Sequence, residues 1–369
     1  MKIYGTLKSE VMQMKILIVP DSFKGSISSK QVCKCIASAI ESVDKSVEIT
    51  AVPFSDGGEG FADCMQSICN GNTLYTQCRN IYTQPEDVNI ITFTDTAVIE
   101  CAQTSGLLSR KNVMQATSYG TGEAIKFACL QGYRHIILGL GGTGCCDGGA
   151  GALSALGAKF FDENYNEILY PKGQDLNYIF GADFRNIVKD IRFTYACDVE
   201  NEYFGNNGAA YVFAKQKGAR DTDLPLLDEG LKRLNAFFKK DISTVKGAGA
   251  AGGICGGIYA VYGGEIKSGF DILCEYAGLD EKIKSCDAVI TGEGRTDAQT
   301  LMGKLPYKIA QLAKKHGKRC VLISGKIENV KLGDIMLSLV DETTDEKTAI
   351  HNAEEILSRK AKTILKYLK

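Results

Sequence analysis

The chain has 369 residues, 44% of them hydrophobic, and its 43 basic and 44 acidic side chains leave a formal net charge of −1. That balance offers no electrostatic footprint for nucleic acid or an anionic membrane, and no run approaches the roughly 18 apolar residues of a membrane-spanning helix. Forty glycines against six prolines, clustered behind apolar runs, point instead to loops where the backbone turns sharply or approaches a ligand closely.

Residues 1–13 carry no pattern of their own and read as a mobile extension, or as a start assigned upstream of Met14; they lack the apolar stretch of a secretory signal. The apolar run 16–19 predicts a buried strand, and a helix with apolar positions near 32, 36 and 40 follows. VEITAVPFSDGGEGFADCM repeats strand, glycine loop and helix, so residues 15–66 read as a βαβα unit of a parallel sheet. From Thr73 to Gln103 short alternating segments predict β-hairpins. HIILGLGGTGCCDGGAGALSALGA then returns to strand, glycine loop and helix. The last hundred residues are plain α/β, with strand–loop units at CDAVITGEGRTD and KRCVLISGKI and a helix at about 304–316 between them. The first and last parts look alike and the middle does not, which predicts one α/β domain inserted into another. Residues 14–66 with 268–369 form the discontinuous domain on this reading, and residues 67–267 the insertion.

Fourteen cysteines follow no regular spacing, include no C-x-x-C pair and are accompanied by three histidines. They read as small core residues of a reducing cytoplasm, not as a disulfide framework or a zinc site. Gly139, Gly141 and Gly144 satisfy G-x-G-x-x-G, but so do Gly247, Gly249 and Gly252, and Asp147 beside the first loop would repel a pyrophosphate. No G-x-x-x-x-G-K-[ST] loop occurs.

Five glycine loops carry charge: DSFKGS, SDGGEG, GLGGTGCCDGGAG, KGAGAAGG and TGEGRTDAQTLMGK. Glycine loops opening helices suit phosphate, and acids beside them suit Mg²⁺ bridging to phosphate. Asp21, Asp56, Glu59, Asp147, Asp198, Glu293 and Asp297 are the acids at predicted strand ends; Lys24, Lys217, Arg295 and Lys304 are the nearby cations. The residues alone therefore point to a magnesium-dependent enzyme acting on phosphate without a P-loop. An NAD-dependent oxidoreductase of a small hydroxy acid and a non-catalytic ligand sensor are the alternatives.

The chain also resembles the bacterial glycerate kinases of class I over residues 14–369. The resemblance rests on PDSFKGSISS, SDGGEG, TSYGTGEAI, GLGGTGCCDGGAGALSALGA, ACDVEN, FAKQKGA, GAGAAGG and ITGEGRTDAQTLMGK, in that order. It implies ATP- and Mg²⁺-dependent phosphorylation of D-glycerate by a Rossmann-like domain interrupted by a second α/β domain, in the cytoplasm. Its partners would be small molecules, not nucleic acid or membrane, and a homodimer is compatible with it. Three departures stand out: GGTGCCDGG where the family usually has GGSATNDGG, Glu202 in place of a proline, and Lys246 in place of another.

On this reading Asp198 is the base for the acceptor hydroxyl, with Asp297 the alternative, and the 2-hydroxyl is the expected acceptor. Lys24 and Arg295 hold a carboxylate or phosphate, and Asp56 and Glu293 contact the metal. Asp21, Ser22, Gly57, Gly58, Gly141, Gly142, Thr143, Asp147, Gly249, Gly252 and Lys304 complete the expected substrate and phosphate contacts.

Overall fold

The computed structural model describes residues 13–55 and 60–368. Apart from Gln13, the expected N-terminal extension lies outside the described residues, as do Asp56, Gly57, Gly58 and Glu59. The chain divides into two units, one formed by residues up to Ser55 together with Ala277–Lys369 and the other by Asp56–Tyr276.

Strands β1 (Lys15–Ile18) and β2 (Glu48–Ala51) open the first unit. The second unit holds β3 (Asn72–Arg79), β4 (Pro85–Phe93), β5 (Thr96–Glu100), β6 (His135–Gly139), β7 (Lys159–Phe161), β8 (Gly181–Asp183), β9 (Arg192–Ala196) and β10 (Glu265–Lys267). The chain then returns to the first unit with β11 (Ala288–Thr291), β12 (Arg295–Thr296), β13 (Arg319–Ser324), β14 (Lys326–Ile327) and β15 (Ile335–Ser338).

The first unit is built on a parallel sheet of order β15-β13-β11-β1-β2. A parallel strand covered on both faces reads as an uninterrupted apolar run, and Ile16, Leu17, Ile18 and Val19 are accordingly all buried. The helix Ser29–Val43 covers one face with Val32, Ile36 and Ile40, at the spacing the sequence suggested. Its start is a capping box in which Ser28 Oγ accepts from the Gln31 N–H and Gln31 Oε1 accepts from the Ser28 N–H, a device worth about 1 kcal/mol. The helix Leu305–Lys315 packs on β11 and β13.

The second unit carries a mixed sheet of order β10-β9-β6-β5-β4-β3. β5, β6, β9 and β10 run parallel, while β3, β4 and β5 form the antiparallel meander expected over 73–103. Its core gathers the buried rings of Phe160, Phe193, Tyr195 and Tyr203. The α/β class is therefore the one expected.

The unit boundaries differ from 66/67 and 267/268. The helix Phe61–Cys69 packs on β4 and β5, with the Ala62 N–H donating to Glu100 Oε1 at 3.1 Å, so the last element of the expected βαβα unit serves the other sheet. At the far end, the Gly269 N–H donates to Asp198 Oδ1 and Tyr276 stands edge-on to Phe93 at 5.4 Å, which ties the helix Gly269–Ala277 to the second unit. Apolar contact and hydrogen bonding placed these two helices, and neither is visible in strand–helix alternation.

No helix among the described residues is long and apolar enough to cross a membrane. All fourteen cysteines are free thiols, and only Cys35, Cys69 and Cys274 are more than marginally exposed. Burial pushes the Cys146 thiol up to about 12 and the Cys145 thiol well above its ordinary value, so neither supplies thiolate near neutral pH. Iodoacetamide alkylation of the native protein at about pH 8, mapped by peptide mass spectrometry, should confine labelling to the accessible Cys35, Cys69 and Cys274, and proceed slowly at Cys35 and Cys69, because burial raises the Cys35 thiol and pushes the Cys69 thiol up to about 11. Early modification of Cys145 or Cys146 would mean that their loop opens.

Candidate active site

In the first unit the chain leaves β1 toward β2 on one side and returns on the other side as β11, so the order in which strands are added reverses between β1 and β11. Ligands of open parallel sheets bind outside the carboxyl ends of the strands at such a point. Asp21, Ser22 and Lys24 follow β1, and Glu293, Arg295, Asp297 and Lys304 follow β11. The two loops are stitched together: the Asp21 N–H donates to Gly292 O at 2.8 Å and the Thr291 hydroxyl donates to Val19 O at 2.8 Å. Gly292 has no substitute there, because a Cβ would lie 1.8 Å from the Ile323 carbonyl oxygen.

Within this crevice the charges are unequal in freedom. The Arg295 guanidinium donates to Glu328 at 2.8 Å and lies 3.8 Å from Asp297. Glu293 is buried; its Oε1 accepts from the hydroxyls of Thr300 and Thr296, at 2.6 and 3.2 Å, and the Lys304 ammonium stands 3.7 Å from its Oε2. Burial raises the Glu293 carboxyl above its ordinary value, opposed by the Thr300 hydroxyl, the Lys304 charge and the Thr296 hydroxyl. Asp297 accepts from the Gln299 N–H at 2.8 Å, closing a turn before the helix Leu305–Lys315, whereas Lys24 is exposed at the tip of its loop. Ser22 donates its N–H to Asp21 Oδ1 at 2.6 Å.

The second unit carries a cleft of about 430 Å³ at the carboxyl ends of β6 and β9. Gly141, Gly142 and Thr143 from the loop after β6 line it together with Asp198 from the loop after β9. Gly141 and Gly142 are exposed, and their backbone N–H groups donate to no atom of the described residues. The Asp198 carboxylate is exposed and accepts from the Gly269 N–H at 3.1 Å, at the start of the helix Gly269–Ala277. Lys217 lines the same cleft, although it is only 3% exposed; its ammonium donates to Thr143 Oγ1 at 3.1 Å and to Cys145 O at 2.9 Å. Ala251, also on the cleft, sits at φ 57°, a left-handed conformation costly for a residue with a Cβ.

Asp147 is set apart from the expected phosphate contacts. It is fully buried, and its carboxylate accepts from the Ser118 N–H, the Ser118 hydroxyl, the Gly149 N–H and the Gly151 N–H. Burial raises its carboxyl above the ordinary value while these donors pull it back. A group so enclosed holds the loop rather than a ligand. Gly249 and Gly252, expected to offer backbone donors, serve packing between loops. The Gly249 N–H is taken by Asn201 O at 3.0 Å, and Gly252, at φ +69°, leaves no room for a Cβ, which would lie 2.0 Å from Cys145 O. Gly144, Cys145 and Cys146 are buried, so of the four differences in that loop only Thr143 lines the cleft.

The structure thus gathers Asp21, Ser22, Lys24, Glu293, Arg295, Asp297 and Lys304 in one unit, and Gly141, Gly142, Thr143 and Asp198 in the other. Asp56, Gly57 and Gly58 lie outside the described residues. Lys217 stands out in sequence only as a nearby cation. Nothing in FAKQKGA distinguishes it from exposed Lys215, since the difference is which side of a single 3₁₀ turn faces the cleft.

Comparison with known proteins places the chain in a family. Residues 16–369 match the model of the glycerate kinase family. A glycerate kinase from Bacillus cereus is 36% identical over 95% of this chain and 97% of its own length. A glycerate 2-kinase from Escherichia coli K12 is 38% identical over 85% of this chain and 86% of its own. A crystal structure from Salmonella typhimurium LT2, named for glycerate kinase 2, superposes with a TM-score of 0.87 at 32% identity, covering 96% of this chain and 98% of the other. The chain belongs to the glycerate kinase family, and its activity is phosphorylation of glycerate.

Proposed function

We propose that the phosphoryl donor is ATP, that the acceptor is the 2-hydroxyl of D-glycerate, and that Asp198 takes the hydroxyl proton. The observation that carries this reading is the meeting of Asp198 with Gly141, Gly142 and Thr143 in one cleft at the carboxyl ends of parallel strands. The description of the Escherichia coli relative as a glycerate 2-kinase supports the 2-position. In the reaction the 2-oxygen attacks the γ-phosphorus, its proton passes to the Asp198 carboxylate, the bond from phosphorus to the β,γ-bridging oxygen breaks, and ADP leaves. Charge spreads over the transferred group in a loose transition state, so positioning and neutralisation account for most of the rate. The unengaged N–H groups of Gly141 and Gly142 are suited to developing negative charge on phosphoryl oxygens.

Mg²⁺ is the expected companion of the nucleotide phosphates. The described residues do not build a resident site for it: no group of three or more metal-binding side chains gathers. Glu293, expected as a ligand, has Oε1 engaged by the Thr296 and Thr300 hydroxyls and Oε2 3.7 Å from the Lys304 ammonium, and Asp56, the other expected ligand, lies outside the described residues. No step is therefore routed through the metal. Such an enzyme of small-molecule metabolism is expected in the cytoplasm.

The test is a reaction of ATP, Mg²⁺ and D-glycerate with the product resolved by ³¹P NMR. A 2-phosphoglycerate resonance is expected. A 3-phosphoglycerate resonance would overturn the acceptor assignment, and transfer from another nucleotide but not from ATP would overturn the donor.

A further inference from the structure

We propose that the Lys217 ammonium binds the carboxylate of glycerate, and that this lysine, rather than Lys24 or Arg295, makes the enzyme select an acid over an uncharged alcohol. The inference rests on the acceptor occupying the Asp198 cleft, as above, and extends that reading to how substrate charge is recognised.

An ammonium has three N–H donors and no acceptor. Two of those on Lys217 are used, toward Thr143 Oγ1 and Cys145 O, and both partners are uncharged. No carboxylate among the described residues forms an ion pair with it, although the side chain is 3% exposed. A buried cation without a counter-ion is costly to keep, and an anionic ligand that supplies the missing charge removes the cost. The third N–H is available to that ligand, because Lys217 lines the cleft beside Gly141, Gly142 and Asp198. The other candidate cations are less suited. Arg295 is already paired with Glu328, Lys304 stands by Glu293, and Lys24 is exposed, where solvent screens its charge.

The position also bears on which hydroxyl reacts. In glycerate the 2-hydroxyl is on the carbon bonded to the carboxylate, whereas the 3-hydroxyl is one rotatable bond further away. A cation that pins the carboxylate therefore restricts the 2-hydroxyl more than the 3-hydroxyl. Thr143, one of the departures from the usual family loop, accepts from the same ammonium at 3.1 Å.

The decisive experiment compares wild type, Lys217→Gln and Lys217→Arg with D-glycerate and with glycerol as acceptors. Glutamine carries two N–H donors on a side chain one atom shorter, and no charge. Lys217→Gln is expected to raise KM for D-glycerate about 100-fold, leave KM for ATP within about threefold, and shrink the preference for D-glycerate over glycerol by a similar factor. It should also admit a 3-phosphoglycerate signal by ³¹P NMR, and Lys217→Arg should recover at least about tenfold of the loss. An unchanged KM for D-glycerate, or a rise confined to KM for ATP, would overturn the proposal.

If Lys217→Gln does not fold, ¹⁵N NMR of the lysine ammonium groups decides. The resonance missing from Lys217→Arg should move in wild type on adding D-glycerate and not on adding glycerol; a stationary resonance overturns the assignment. Wild type that transfers nothing to glycerate would instead remove the functional reading, whereas an active wild type with an insensitive Lys217→Gln variant would remove the lysine alone.

Discussion

Asp198→Asn is expected to lower kcat about 10²- to 10⁴-fold while leaving the protein folded and KM for D-glycerate within a few-fold of wild type. The substitution removes the proton-accepting carboxylate but keeps an oxygen for the Gly269 N–H, so the local geometry survives. Asp198 is exposed, and exposed substitutions away from special backbone usually change stability by about 0.5 kcal/mol or less. A loss of this size corresponds to about 3–5 kcal/mol of transition-state stabilisation. The matching control is Asp297→Asn. Its carboxylate is engaged with the Gln299 N–H in a turn of the other unit, and its loss should cost less than about tenfold in kcat. Steady-state kinetics on both variants, with circular dichroism to verify folding, check the assignment. If Asp198→Asn turns over at the wild-type rate and Asp297→Asn does not, the base is Asp297.

Much of this arrangement is legible in the amino-acid sequence itself. Short apolar runs such as 16–19 and 136–138 read as buried parallel strands because both faces of the sheet are covered, and the loops behind them announce where ligands bind. Asp198 and Gly141–Gly142 are legible for the same reason: each directly follows such a run. What the sequence does not reveal is decided by packing between segments far apart in the chain. Asp147 looks like a loop acid facing phosphate, yet its partner Ser118 comes 29 residues earlier and encloses it. GAGAAGG looks like a phosphate loop, but glycines serve equally where two backbones touch, and Gly252 meets Cys145 more than a hundred residues away. Lys217 shows the converse. A buried lysine is unusual, but burial is a property of the assembled cleft and leaves no mark on its sequence neighbours.

Asp147→Ala is expected to destabilise the protein by about 3–5 kcal/mol, the largest loss of stability foreseen for any single side chain of the glycine loop. Asp147 Oδ2 accepts from the Ser118 N–H at 2.7 Å, the Ser118 hydroxyl at 2.8 Å and the Gly151 N–H at 3.2 Å, and Oδ1 accepts from the Gly149 N–H at 3.1 Å. All four donors lose their acceptor in alanine and none gains water, because the position is fully buried; a buried donor left unsatisfied costs about 1–3 kcal/mol, and partial relaxation keeps the total below the simple sum. Ser118 carries the network onward, since its hydroxyl also accepts from the Ala152 N–H at 3.0 Å and so joins the starts of the helices Tyr119–Leu130 and Ala150–Ala155. Ser118→Ala should therefore cost about 1–2 kcal/mol, and the double variant appreciably less than the two single costs added, because both remove parts of one network. Urea unfolding of the four proteins measures all of these quantities. Additive costs, or an unchanged midpoint for Asp147→Ala, would show that the carboxylate is not what closes the loop. The distinction matters for the site, because the same loop that Asp147 pins at one end presents Gly141, Gly142 and Thr143 to the cleft at the other. Its backbone donors can be ready for a phosphoryl group without rearrangement only while the buried end is held fixed.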